Sequence, residues 1–263
     1  MKKLLWLMLL LLALPLAAQA AAQLDTLYLS VYPCAEGADM PADAVSWYKN
    51  GSKYYLLLPG GTDWSEARVW YTGAAESIEI NGTACKSGEK LSGLFDGAEL
   101  TVKTSKKSYT VQVMRGSDIG ALFISTSTGS MTKVDRSKYY KEAGALRLLA
   151  ADGSLMYDGA LDYIKLRGNT SSVLPKKNYS LKLENGTDLY GMGKAKRWVL
   201  QGSYRDKTQI RNQIVYSMAN YVGLPYTPQV VQVDVYFNHE YHGTYLLTEK
   251  IEVGKNRVNI ADL

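Results

Sequence analysis

Cysteine, histidine and phenylalanine are scarce, with two, two and three copies among 263 residues. Two cysteines, Cys34 and Cys85, match no metal-site pattern. In an exported domain such a pair is compatible both with a disulfide and with two buried thiols. His239 and His242 fall at or beside a hairpin turn, with no acid, cysteine or third histidine placed to complete a metal site. GxSxG is missing, and neither histidine pairs with a nucleophile, which argues against a serine hydrolase. GxxxxGK[ST] is missing too, and GMGKAK at 191–196 lacks the glycine spacing of a nucleotide fingerprint. A large charge excess is also absent: the net +5 is spread along the chain, which speaks against a general nucleic-acid or membrane role. Internal repeats and low-complexity linkers are not seen.

What is present is a globular composition, 46% apolar, with 20 tyrosines, a residue suited to strands with one apolar face and one wet end. Lys2 and Lys3 precede an apolar run from Leu4 to Ala18, and Ala18-Gln19-Ala20 before Ala21 satisfies the small-x-small rule of signal-peptide cleavage. Residues 1–20 are therefore expected to be a signal peptide. A membrane anchor is the rival reading, but the run is short for a span and ends in small residues, and no later segment approaches that length, so no stable membrane insertion is expected after cleavage.

From Leu24 to Gln112 short apolar or alternating runs are separated by Asn50-Gly51, Gly60-Gly61, Asn81-Gly82 and Lys106-Lys107, the rhythm of a β-sandwich over 22–116. Trp47, Trp64 and Trp70 suit either packing or a sugar-binding platform. MRGSDIG at 114–120 interrupts the rhythm, and a second domain is expected over 117–263. Its strands are expected to turn at Asp152-Gly153 and Asp158-Gly159, with one helical turn after Asp135 and Ser137. Asp206 and Gln209 have the spacing of a helix cap and its partner. Ile210, Ile214, Met218 and Val222 then form one stripe before Gly223-Leu224-Pro225. Val231, Val233, Val235 and Phe237 alternate with polar residues into a turn at Asn238-His239 and a returning strand that carries Glu249. The fold class expected is α+β and β-rich, a sandwich followed by a one-helix β domain.

The stretch from Arg167 to Asn212 holds most of the chemistry. Arg167-Gly168-Asn169 with Lys176 and Lys177 suits an anion, because glycine lets backbone N–H groups approach while the cations reach phosphate oxygens. A solvated edge-strand lysine pair has the same appearance. Glu249 is a candidate carboxylate to hold a phosphate-binding lysine, and a surface glutamate on a hairpin reads the same way. Arg211 and Asn212 open the helix within reach of the loop.

The ordered motifs RGNTSSVLPKKNYSLKL, RWVLQGSYRDKTQIRN, GLPYTP, VDVYFNHEYHGTYLLTEKI and KNRVNI resemble the bacterial spore coat protein H (CotH) kinase-like family from about Ala121 onward. The preceding segment resembles the immunoglobulin-like modules often joined to such domains. The resemblance implies an atypical, secreted or surface-associated protein kinase. Such an enzyme transfers the γ-phosphate of ATP, with a divalent metal such as Mg2+, to Ser or Thr of exported proteins. It implies phosphate contacts from Arg167 and Lys177, with Lys176 as the alternative lysine, and Glu249 as the lysine's partner. Tyr179 and Asn212 match family positions and are assigned scaffold roles. Thr170-Ser171-Ser172 stands where the family commonly has Ser-Thr-Trp.

The family's catalytic aspartate motifs lie later than Leu263, so the sequence is read as an N-terminal fragment with no catalytic or metal residue assigned. Asp206, Asp234 and Asp262 lie outside those motifs. Its partners are expected to be an exported protein substrate or a cell-envelope component. The other reading is a secreted, non-catalytic surface-binding protein that uses its β-sandwich.

Overall fold

The computed structural model describes residues 24–73, 75 and 77–261. The expected signal peptide lies outside them. No helix among the described residues is long and apolar enough to cross a membrane. The class is α+β and β-rich, as expected. The chain forms two compact units, one from residues up to Leu58 together with Thr62–Arg115, the other from Pro59–Gly61 together with Gly116 onward.

The first unit holds two sheets. One has the order β2-β1-β5, from Val45–Ser46, Leu24–Ser30 and Arg68–Gly73. The other has the order β3-β4-β9-β8-β6-β7, from Tyr48–Asn50, Lys53–Leu58, Ser108–Arg115, Glu99–Lys103, Ile78–Ile80 and Thr83–Cys85. Alternation along the strands puts Leu27, Leu29, Val69, Leu56, Leu58, Val111 and Val113 inside. Trp47 packs against Tyr54 and Tyr109 at ring separations of 4.4 and 5.1 Å. Trp70 is buried and donates from Nε1 to Ser30 Oγ at 3.1 Å. Two of the three tryptophans are therefore core residues, and Trp64 is half-buried. Cys34 and Cys85 are free thiols, and burial raises the pKa of Cys85.

The second unit is a closed barrel in the order β10-β11-β12-β13-β14-β16-β15. Its strands are Gly120–Thr126, Glu142–Leu149, Leu155–Arg167, Asn178–Thr187, Ala195–Gln201, Glu240–Glu249 and Val230–Phe237, in that order. All neighbours are antiparallel except β10 and β15, which run parallel and close the barrel with Gly120 opposite Val233. Leu122, Ile164, Leu181, Trp198, Val235, Tyr179 and Leu247 fill the interior, leaving no edge strand to pair with another chain.

Several local expectations need correction. Asp158-Gly159 is not a turn: β12 runs through it, with Asp158 opposite Arg147 and joined to it at 3.5 Å. A cross-strand ion pair and a glycine are compatible with a ladder as well as with a turn. The short helix α1, Thr132–Arg136, contains Asp135 instead of following it. The long helix α2, Arg211–Tyr221, starts one residue after Ile210, whose side chain caps nothing. Its end agrees with the expected glycine stop: Gly223 has φ +74° and donates to Asn220 O at 3.1 Å. No residue of α2 is buried, and Ile214, Val215, Met218 and Tyr221 are all exposed. At the hairpin, Asn238 and His239 have φ +50° and +75°, the left-handed pair that joins β15 to β16. Asp234 and Tyr236, placed by alternation on the wet face of β15, are nevertheless buried. Tyr236 stacks on Phe123 at 4.6 Å, and Asp234 accepts from Thr244 and Tyr241.

Candidate functional site

The loop after β12 is shaped by Gly168, at φ +95°, where a Cβ would come within 2.0 Å of Ser171 Oγ. A 3-10 turn at Thr170–Val173 follows. Ser172 Oγ donates to Asn169 O at 2.6 Å, and Lys138 Nζ donates to Asn169 Oδ1 at 3.2 Å. Lys177 donates to Ser172 O at 3.1 Å and Leu174 O at 3.3 Å, so its charge serves the carbonyls of this loop. Arg167 is exposed at the end of β12, opposite Asn178.

Lys176 faces another way. It lines a cavity of about 320 Å³ together with Ser171, Asn178, Arg205, Arg211 and Asn212. Its Nζ donates to Gln209 Oε1 at 3.0 Å and to Thr244 O, and lies 4.7 Å from the centre of the Tyr245 ring. Burial pulls its pKa down to about 8, against the opposing pull of Asp234. Asp234 in turn is pushed up by burial, with hydrogen bonds from Thr244 and Tyr241 and the charge of Lys176 working the other way. Two glycines make room for the lysine. At Gly202 a Cβ would meet Lys177 O at 2.8 Å and Lys176 Cγ at 3.1 Å; at Gly243, φ +98°, it would lie 3.4 Å from Lys176 Nζ. Gln209 itself is held at φ +57°, an uncommon backbone state for a non-glycine residue, beside the ammonium it binds.

Asp206 organises the helix side of the cavity. Its Oδ1 accepts from Thr208 N and Oγ1 at 3.1 and 2.7 Å, and its Oδ2 accepts from Arg211 N at 2.9 Å. These bonds, that from the Thr208 hydroxyl foremost, hold its pKa below the usual carboxylate value. The aspartate thus serves the start of α2 from upstream of the helix, while Gln209, expected as its capping partner, binds Lys176. Asn212 donates to Gln201 Oε1 at 3.3 Å. Tyr179 has the scaffold position expected: it is buried and donates to Asp135 Oδ1 at 2.8 Å.

Glu249 does not join a lysine. Its Oε1 accepts from Arg257 Nη1 at 2.6 Å and its Oε2 from Gln229 N at 2.8 Å, and both Glu249 and Arg257 line a separate cavity. An arginine fork competes well for a carboxylate, and the hairpin carries Glu249 to the loop that holds Arg257. Arg257 lies within the KNRVNI motif, where nothing in the sequence sets it apart from its neighbours. Gln209, Arg205 and Thr244 were also missed as neighbours of Lys176, because their nearness depends on how the loops of the barrel close.

The His242 ring lies 4.9 Å from that of Phe237 in an edge contact, its residue exposed as a whole, and desolvation of the imidazole lowers its pKa. Asp262 lies outside the described residues. Among the described residues no three His, Cys, Asp or Glu gather as a metal would require. Lys176, Arg205, Arg211 and Asn212 fit the phosphate groups of a nucleotide, offering cations and amide donors around one cavity. A magnesium ion fits poorly here, since Asp206 is the lone lining carboxylate and both its oxygens are engaged.

A search among curated proteins finds no match to the chain. Residues 164–263, from within β12 onward, match the family model described as CotH kinase protein, so over that stretch the protein is similar to the CotH kinase family, as its ordered motifs imply.

Proposed function

We propose that the second unit is the phosphate-holding part of an exported CotH-type atypical protein kinase that acts on Ser or Thr of secreted or surface proteins. The observation that carries the reading is Lys176, a partly buried ammonium facing a cavity that Arg205, Arg211 and Asn212 also line. The family match over 164–263 supports it, and the apolar run with its small-x-small site supports export. ATP, when bound, supplies the phosphoryl group. Lys176 would hold phosphate oxygens, and Arg205 and Arg211, both exposed, would offset their charge. Arg167 adds a cation opposite the lining residue Asn178, while Lys177 keeps the loop in shape. The ligands of a divalent ion are assigned to no described residue, so the reading extends to phosphate binding and not to the transfer step.

Thermal unfolding of the full chain with and without magnesium ATP tests this. Stabilisation is expected, abolished in Lys176→Met and reduced in Arg167→Ala. Unchanged melting of the wild-type chain would overturn the proposal.

A second reading, a secreted surface-binding protein, draws on the first unit, whose two sheets suit an immunoglobulin-like module. Tyr48, exposed on β3, stacks on Tyr55 of β4 at 5.5 Å, a flat aromatic pair of the kind that receives a sugar ring. Retention on cell-wall polysaccharide, lost in Tyr48→Ala, is its expected sign.

A further inference from the structure

The cavity lined by Arg257 is built differently from the one lined by Lys176. It encloses about 400 Å³, bounded by the loop Gly191–Gly193, the segment Tyr226–Gln229, the end of β16 and Asn256–Val258. Arg257 is the buried charge within this lining, its side chain 4% exposed. Nη1 donates to Met192 O at 2.8 Å, Glu249 Oε1 at 2.6 Å and Asn256 O at 2.7 Å. The guanidinium carbon lies 4.8 Å from the centre of the Trp198 ring. The stack, and the two Nη1 hydrogens shared among these three acceptors, fix the plane of the group.

The opposite edge of the same guanidinium is unserved. Nε and Nη2 are buried and have no hydrogen-bond partner among the described residues. Glu249 cannot turn to serve them, because its second oxygen already accepts from Gln229 N at 2.8 Å. Lys250, also lining the cavity, is held by Glu252 at 3.1 Å. Buried donors of a charged group are rarely left unpaired, and the Nε–Nη2 edge is the fork that takes two oxygens of a carboxylate or phosphate side by side. We propose that this cavity is a second ligand site, taking a small molecule that carries a carboxylate or phosphate group, with Arg257 as its receiving fork and Glu249 as the residue that positions the fork. The site is independent of the phosphate cradle at Lys176.

Nuclear magnetic resonance of the full chain, labelled with nitrogen-15 and with the Arg257 Nε–H signal assigned through bonds, gives a readout that needs no variant. Inorganic phosphate and succinate are the probes. A saturable shift of the Arg257 signal with phosphate alone assigns a phosphate ligand, with succinate alone a carboxylate, and with both an oxyanion fork that does not distinguish them. If neither moves the signal, water alone serves the fork and the proposal is overturned. Where it folds, Arg257→Lys should lose the saturable binding while keeping the charge. Lys176→Met should leave the Arg257 response intact even though it abolishes nucleotide stabilisation, so the two sites fail separately.

Discussion

Lys176, half-buried, and Arg257, with a buried side chain, both line cavities in one barrel unit, and they are held in opposite ways. The lysine has neutral hydrogen-bond partners, an amide and a carbonyl, and its nearest acid, Asp234, is occupied by Thr244 and Tyr241. Its charge is therefore poorly compensated, and burial brings its pKa to about 8. The arginine has a carboxylate at 2.6 Å, two carbonyls and an indole face. The difference shows how a barrel can carry one poorly compensated cation and one well compensated one. Which is which depends on whether the acid is spent locally or delivered to the cation.

Glu249→Ala should separate the two most strongly. It leaves Arg257 buried without its acid, and loss of one partner of a buried pair costs about 3–5 kcal/mol, read as a lower urea midpoint for the second unit. Lys176→Met should cost less, about 1–3 kcal/mol for the acceptors it orphans at Gln209 and Thr244. A larger loss there than at Glu249 would reverse the ranking.

The pH dependence follows from the lysine. The unfolded chain keeps the Lys176 proton up to its ordinary pKa of 10.5, whereas the folded chain releases it near 8. Between those values the unfolded state binds more protons, so this group's contribution to stability rises with pH across the window. Affinity for phosphate moves the other way and falls as pH passes about 8. Urea midpoints across that interval should climb more in the wild type than in Lys176→Met, and equal slopes would reject the assignment. The smallest effect is expected at Asp206→Ala. Losing the bond to the Arg211 amide should show as fraying of the first turn of α2 by hydrogen exchange, with the urea midpoint moved less than by either other variant.

Much of the β framework was legible because it rests on local rules. Asn238-His239 between alternating runs, Asn81-Gly82 and Asp152-Gly153 are turn chemistry, and the structure makes a turn at each. Asp158-Gly159 carries the same local signature inside β12, where pairing with Arg147 and Leu146 overrides it. Ile214 and Met218 recur at helical spacing and lie exposed, because a stripe states what a helix is able to bury and not what covers it. At the candidate site the basic loop was legible as chemistry. The division of labour between Lys176 and Lys177 was not, since both lie in the bend before β13, where no periodicity assigns a side, and only the closure of the barrel decides which of them meets a cavity. Glu249 was read as a charge in need of a cation. The identity of that cation depended on a loop with no periodic signal.

The parallel pairing of β10 with β15 has a consequence for how the unit is made. β10 is the first of the barrel strands to leave the ribosome, and the edge opposite β11 finds no partner until Val233 and its neighbours follow, more than a hundred residues later. Every other neighbouring pair closes over a shorter span, so the last step of folding is a long-range one, slow by its topology. Until then the growing sheet has an open apolar edge formed by Ala121, Leu122, Phe123 and Ile124. That interval is when the chain is most exposed to pairing with a neighbour, and a charged substitution within β10 would act on yield long before it acted on any bound ligand.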